Sequence, residues 1–142
     1  MSPSLSHALN PAFLVKNAAL FNYNGFSLAD TPSLAGKVAL VTGGQAGIGQ
    51  EIVLQLLLHN IGKVYILARS AEKYELAKAA WVGKGGLAEE VVKKRTEFMK
   101  CDLSDMVAVK KVGGILISNL ERLDILLDNA GKCILDGHLL SY

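Results

Sequence analysis

The chain has 142 residues, room for one domain around a single core. It is 51% hydrophobic, 20% charged and 6% aromatic, which excludes a disordered, highly charged class. A net charge of +2 with no long basic run argues against nucleic acid as a partner, and the longest basic cluster, Lys93-Lys94-Arg95, reads as solvated surface.

Residues 1–35 are rich in Ser, Asn, Ala and Pro, show no sustained period, and are expected to form an N-terminal extension. Their apolar stretch, "PAFLVKNAALF" at 11–21, carries Lys16 and is about half the ~20 residues of a membrane span. No basic leader precedes it and no arginine occurs before Arg69, so neither a secretory signal nor an Arg-rich transit peptide is expected. Cys101 and Cys133 are the only cysteines, without the spacing of a disulfide framework or zinc site. That usage fits a reducing, cytoplasmic setting and no bound metal.

After Gly36 the pattern becomes regular. "KVALVT" at 37–42 is a β-branched apolar run, the mark of a strand buried on both faces. Gly47–Asn60 follows as a helix with an apolar stripe at Ile48, Ile52, Val53, Leu56 and Leu57, ended by Asn60 and Gly62. "KVYILA" at 63–68 is a second strand. Ser70 is the expected N-cap of a helix to about Trp81, with Glu72 in its first turn, and Gly83, Gly85 and Gly86 then break the pattern. "TEFMKC" at 96–101 reads as a third strand. Ser104 is the expected cap of a third helix reaching Leu120, inside which Gly113 and Gly114 cost about 1 kcal/mol each relative to alanine. "LDILL" at 123–127 is a fourth strand. Strands separated by helices predict right-handed crossovers and an α/β, doubly wound parallel sheet of Rossmann-like type. Its order would be 3-2-1-4, with a ligand crevice between strands 1 and 4.

The turn after strand 1 is "TGGQAGIG", Thr42–Gly49. Gly43 permits a tight turn, and Gly47 and Gly49 let backbone and helix approach a pyrophosphate resting on the helix N-terminus, where amides are unpaired and partly positive. Glycines between a strand and a helix also occur for the turn alone. A dinucleotide fold places its ribose-reading residue about 20 positions further on, at the end of strand 2. That position is Arg69, whose forked guanidinium suits a 2′-phosphate, so NADP(H) is expected over NAD(H). The competing role for Arg69 is a solvated surface arginine.

Three motifs in register, "TGGQAGIG", "CDL" at 101–103 and "DNAG" at 128–131, resemble the short-chain dehydrogenase/reductase family. "GKVALVTGG", "ILARS" and "LDILLDNAG" look most like its retinol-dehydrogenase-like members. The resemblance covers residues 34–131, about two-thirds of the chain. It implies that Thr42, Gly43, Gly44, Gln45, Gly47, Ile48 and Gly49 cradle the pyrophosphate and that Arg69 contacts the 2′-phosphate. Asp102 and the Leu103 backbone would bind the adenine edge. Asn129, Ala130 and Gly131 would lie beneath the adenosine ribose, with Asn129 pinning the sheet. Asp128 departs from the asparagine common at its position.

The family chemistry so implied is hydride transfer between nicotinamide and a carbonyl or alcohol carbon. A tyrosine, a lysine four residues later and a serine carry it, several tens of residues beyond the "NAG" motif. Only 11 residues, "KCILDGHLLSY", follow Gly131, and 132–142 reads as a non-family tail, so the catalytic segment is absent and the chain as given is expected to be inactive. Tyr74 and Lys78 have the Tyr-x-x-x-Lys spacing but fall on the helix after strand 2, where they read as a surface pair. His138 has no visible partner and reads as a fragment-end residue. Strand 4 would be an exposed apolar edge that favours self-association. A small carbonyl or alcohol substrate is expected only for the complete enzyme. The alternatives are a catalytically inactive NADP(H)-binding or partner-binding remnant and an inert truncated product.

Overall fold

The computed structural model describes the backbone of residues 27–135 and 138–141, with side chains within 27–131. The apolar stretch 11–21, most of the expected extension and the side chains of Cys133 and His138 lie outside the described residues. Two compact units divide the chain, residues 1–31 and 32–142. The described part of the first is a single 3-10 turn, Leu28–Asp30, in which the Ser27 amide donates to Asp30 Oδ2 at 3.3 Å.

The second unit runs β1 (Val38–Thr42), α1 (Gly47–Leu58), β2 (Lys63–Ala68), α2 (Ala71–Gly83), α3 (Glu89–Arg95), β3 (Thr96–Lys100), α4 (Met106–Asn119) and β4 (Ile125–Leu127), followed by β5 (Lys132–Leu135) and β6 (His138–Ser141). The first four strands form one sheet in the order β3-β2-β1-β4. All its pairings are parallel, with Val38 opposite Lys63, Val64 opposite Thr96 and Ala39 opposite Ile125. This is the expected doubly wound order. β5 and β6 pair antiparallel as a separate two-stranded sheet in the stretch read as a tail.

Successive strand residues point to opposite faces, and the burial follows that alternation. Ala39, Val41, Val64 and Ile66 pack with Val53, Leu57, Tyr74, Trp81 and Val92 from α1, α2 and α3. Leu40, Leu67 and Cys101 pack with Val112 and Leu116 of α4 on the other face. Each face has its own core, so β1 and β2 read as nearly unbroken apolar runs.

α1 buries Gly49, Val53 and Leu57, a line of i, i+4, i+8 positions. Ile48, expected on that stripe, is 76% exposed, because it sits about 140° round the helix from Val53 at 100° per residue. The helix ends as read, in a Schellman closure. Asn60 takes φ 66°, its amide donates to Leu57 O at 3.0 Å, and the Ile61 amide donates to Leu56 O at 3.1 Å.

Three expectations are corrected. α3 was not anticipated; its first turn holds Glu89 and Glu90 and its last Lys93, Lys94 and Arg95, charges that favour a helix of only seven residues. Tyr74 is not a surface residue. It is 7% exposed, hydrogen-bonds Thr96 Oγ1 at 2.8 Å and stacks on Phe98 at 5.1 Å, while Lys78 pairs with Glu75 and lies over its ring. The cap of α4 is Asp105, whose Oδ1 accepts from the Val107 and Ala108 amides at 2.9 and 3.1 Å. Ser104 lies one residue before that cap, and its amide and hydroxyl instead donate to Asp102 Oδ1, at 3.0 and 2.7 Å.

α4 passes through Gly113 and Gly114 without interruption, and a Cβ at either would meet nothing within 4 Å. Gly114→Ala is therefore expected to raise unfolding free energy by about 0.5–1 kcal/mol, read from the urea midpoint.

Asp124 joins the starts of β1 and β4: its amide donates to Val38 O and its Oδ2 accepts from the Val38 amide, each at 2.9 Å. Arg122 forks onto the same carboxylate and Lys37 lies 3.7 Å away. The Arg122 hydrogen bonds, then the Val38 amide, lower its pKa to about 2. A carboxylate depressed in the folded state stabilises fully above its unfolded pKa and loses that contribution as pH falls through the folded value. Stability should decline between about pH 4 and pH 2, and Asp124→Asn should flatten that part of a chemical-denaturation profile.

Candidate functional site

Because every strand of the main sheet points the same way, the four carboxyl ends lie along one edge, and the loops leaving them meet there. They enclose a cleft of about 370 Å³. Gly43 and Gln45 come from the β1–α1 loop, Arg69, Ser70 and Lys73 from the end of β2 and the start of α2. Cys101, Asp102, Leu103 and Ser104 come from the β3–α4 loop, and Ala130 and Gly131 from the segment after β4.

The remaining expected residues, together with Gly43, build the frame of this cleft. Gly43 takes φ 68°, a conformation that glycine adopts without strain. α1 then crosses so close that a Cβ on Gly49 would lie 2.3 Å from Gly43 O and 2.5 Å from Asn129 Nδ2. Asn129 Nδ2 donates to Thr42 O at 3.2 Å, with Gly43 O at 3.5 Å, and so braces the strand end against β4. The Thr42 hydroxyl, buried with its residue, donates to Asp128 Oδ1 at 3.3 Å and accepts from the Ala130 amide at 3.0 Å. Asp128 thus serves as an acceptor in this brace. A Cβ on Gly44 would press on Val53 and Ile66, and Gly47 and Ile48 are exposed on the first turn of α1.

Two observations bear on what the cleft can hold. Ala46, at the N-cap of α1, makes no side-chain capping bond, so the amides of the first turn have no side-chain acceptor from the cap. Gln45 Oε1 is buried without a hydrogen-bond partner, the one such side-chain atom among the described residues. An orphaned acceptor costs about 1–3 kcal/mol until a donor reaches it. A ligand with anionic oxygens and hydroxyl donors answers both.

Arg69 and Lys73 are exposed on the cleft wall, and among the described residues neither side chain has a hydrogen bond or ion pair. Sequence reasoning missed Lys73; the signal was its place one turn beyond Ser70, whose Oγ accepts the Lys73 amide at 3.2 Å. Burial, then Asp102 and Asp105, push the Cys101 thiol up, which leaves it a poor nucleophile. No group of three or more metal-ligating side chains occurs among the described residues. Nor is any described helix long and apolar enough to cross a membrane.

The short chain dehydrogenase family pattern matches residues 37–139, most of the chain. The chain belongs to the short-chain dehydrogenase/reductase family. The match continues past Gly131 into the stretch that holds β5 and β6. A Neurospora crassa protein described as the oxidoreductase bli-4, mitochondrial, is 38% identical over 117 residues, covering 82% of this chain and 28% of that one. The 15-hydroxyprostaglandin dehydrogenase [NAD(+)] of Rattus norvegicus is 38% identical over 96 residues, 68% of this chain and 34% of its own. Among solved structures, the Pseudomonas aeruginosa RhlG/NADP active-site complex superposes with a TM-score of 0.55 at 35% identity, covering 70% of this chain and 36% of that one. The chain spans about a third of the length of these curated relatives. The match establishes the family and not a subgroup within it.

Proposed function

We propose that this chain carries the NADP(H) site of an oxidoreductase acting on a carbonyl or alcohol carbon of a small molecule. The observation that carries the reading is the Gly43–Gly49–Asn129 crossing, which sets the open first turn of α1 beside a cleft walled by Arg69. In this reading the Thr42–Gly49 backbone holds the pyrophosphate, Gln45 Oε1 accepts from a cofactor donor, and Arg69 forks onto the 2′-phosphate. Asp102 and Leu103 meet the adenine edge, and Asn129, Ala130 and Gly131 lie beneath the ribose. When bound, the nicotinamide supplies or takes the hydride. The chain's own residues bind and orient the dinucleotide, and Tyr74, buried against Thr96 on α2, takes no proton-transfer role.

The NADP bound in the RhlG complex supports this cofactor, while the NAD(+) named for the rat dehydrogenase makes the preference the point to test. Calorimetric titration with NADPH and NADH decides it. NADPH is expected to bind more tightly, and Arg69→Gln is expected to erase most of the difference. Tighter NADH binding would reverse the role of Arg69, and no binding of either at millimolar concentration would sink the reading.

Self-association belongs to the same proposal. β4 ends the sheet, no other described strand pairs with its outer edge, and Leu126 on it is 61% exposed. Light scattering that rises with concentration and falls on Leu126→Lys would support it. We place the protein in the cytoplasm on its cysteine usage; the compartment named for the Neurospora relative is the competing one, and fractionation separates them.

A further inference from the structure

β4 is the least secured strand of the main sheet, and the segment that leaves it carries Asn129, Ala130 and Gly131 to the cleft. It pairs only with Ala39, Leu40 and Val41, whereas β2 pairs with β1 along all of Val38–Thr42. Leu126 is exposed, Ile125 and Leu127 are only partly buried, and among the described residues no strand lies on its outer side. So short an edge strand depends on what holds its ends. At the cleft end that is the brace of Thr42, Asp128, Asn129 and Ala130. At the other end it is Asp124. Its amide donates to Val38 O and its Oδ2 accepts from the Val38 amide, each at 2.9 Å, so the side chain extends the ladder just before the strand begins. The Arg122 fork steadies that carboxylate, and Lys37, next to Val38, lies 3.7 Å from it.

We propose that Asp124 is a distal positioning residue for the cleft, which clasps β4 to β1 and so sets where Asn129, Ala130 and Gly131 stand beneath the ligand. The inference rests on the dinucleotide reading above. Asn129 lies five positions beyond Asp124, about 17 Å of extended chain, so Asp124 acts through the strand and touches no ligand. A strand clasped at both ends keeps one register. Released at its start, it is held by the brace alone and opens locally, while the strands behind it stay paired. When only a fraction of molecules has β4 docked, the apparent affinity falls by that fraction. Ligand seated on the brace draws β4 back in turn, so the two events favour each other.

NADPH calorimetry and amide hydrogen exchange on the 142-residue chain, Asp124→Ala, Asp124→Asn and Val92→Ala separate positioning from stability. Val92 is buried on α3, which packs against α2, β2 and β3, so Val92→Ala destabilises the domain without touching this clasp. Under conditions where circular dichroism shows each variant folded, Asp124→Ala is expected to weaken NADPH about tenfold. Exchange at 125–131 should quicken, while α1 and β2 keep their parental rates. Asp124→Asn retains an acceptor for the Val38 amide and should lose only about twofold. Val92→Ala should keep the parental affinity although its urea midpoint falls. Parental affinity in Asp124→Ala, or an equal loss in Val92→Ala, would overturn the role of Asp124 and leave the cofactor site standing. If Asp124→Ala does not fold, Arg122→Gln, on an exposed side chain, carries the test. It should weaken NADPH about two- to threefold with the same local quickening, and unchanged affinity there overturns the proposal. A parent chain that does not bind NADPH would overturn the site and the inference together.

Discussion

Gly49→Ala is expected to destabilise the domain by about 3 kcal/mol or more and to abolish dinucleotide binding. The added methyl has no place to go. It would sit 2.3 Å from Gly43 O and 2.5 Å from Asn129 Nδ2, and the nearest obstacle is backbone, which cannot turn aside as a long side chain can. Relief requires α1 to lift from the loop. That motion breaks the burial of Val53 and Leu57, which share a line with Gly49, and it moves the first-turn amides away from the cleft. The same Gly→Ala change at Gly114, in open space, should act in the opposite direction. A pair of urea melts on these two variants therefore separates a steric effect from a general effect of helix propensity.

Trp81→Ala should cost about 3–5 kcal/mol, a large fraction of what a domain of this size has. Trp81 is 1% exposed, meets Tyr74 edge-on at 6.3 Å between ring centroids, and donates Nε1–H to Gln50 O at 3.0 Å. It therefore fills the core under α2 and also ties α2 to the second turn of α1. Trp81→Phe keeps most of the ring and loses the donor, so its cost should be nearer 1 kcal/mol. If both variants cost the same, the hydrogen bond and not the packing would dominate.

The sheet was legible because β1 and β2 are buried on both faces, which writes an unbroken apolar run into the sequence. The glycine loop was legible because a close crossing tolerates no side chain, and the structure places that demand at Gly49. What escaped has a physical reason in each case. α3 is short and follows three glycines, so its Glu-to-Lys charge gradient was read as plain surface. Tyr74 carries a hydroxyl, which reads as exposed until Thr96, whose own hydrogen goes to Val92 O, is seen to accept from it across 22 positions. Ser104 and Asp105 are both capping residues by type, and only the residue at which the backbone enters α4, Asp105, decides between them. Asp124 pairs with residues distant in sequence and Lys73 lines a cleft built from four loops, neither of which a local pattern records.

If the proposed function holds, the loops leaving β1, β2, β3 and β4 form one dinucleotide site. Amide hydrogen exchange on the 142-residue chain, with and without NADPH, tests it most directly. Slowed exchange is expected in the β1–α1 loop from Gly43 to Gln50, around Arg69, at Cys101–Ser104 and at Ala130–Gly131, all with the same dependence on cofactor concentration. Slowed exchange confined to another surface, such as the groove lined by Glu75, Val82 and Lys93 between α2 and α3, would contradict it.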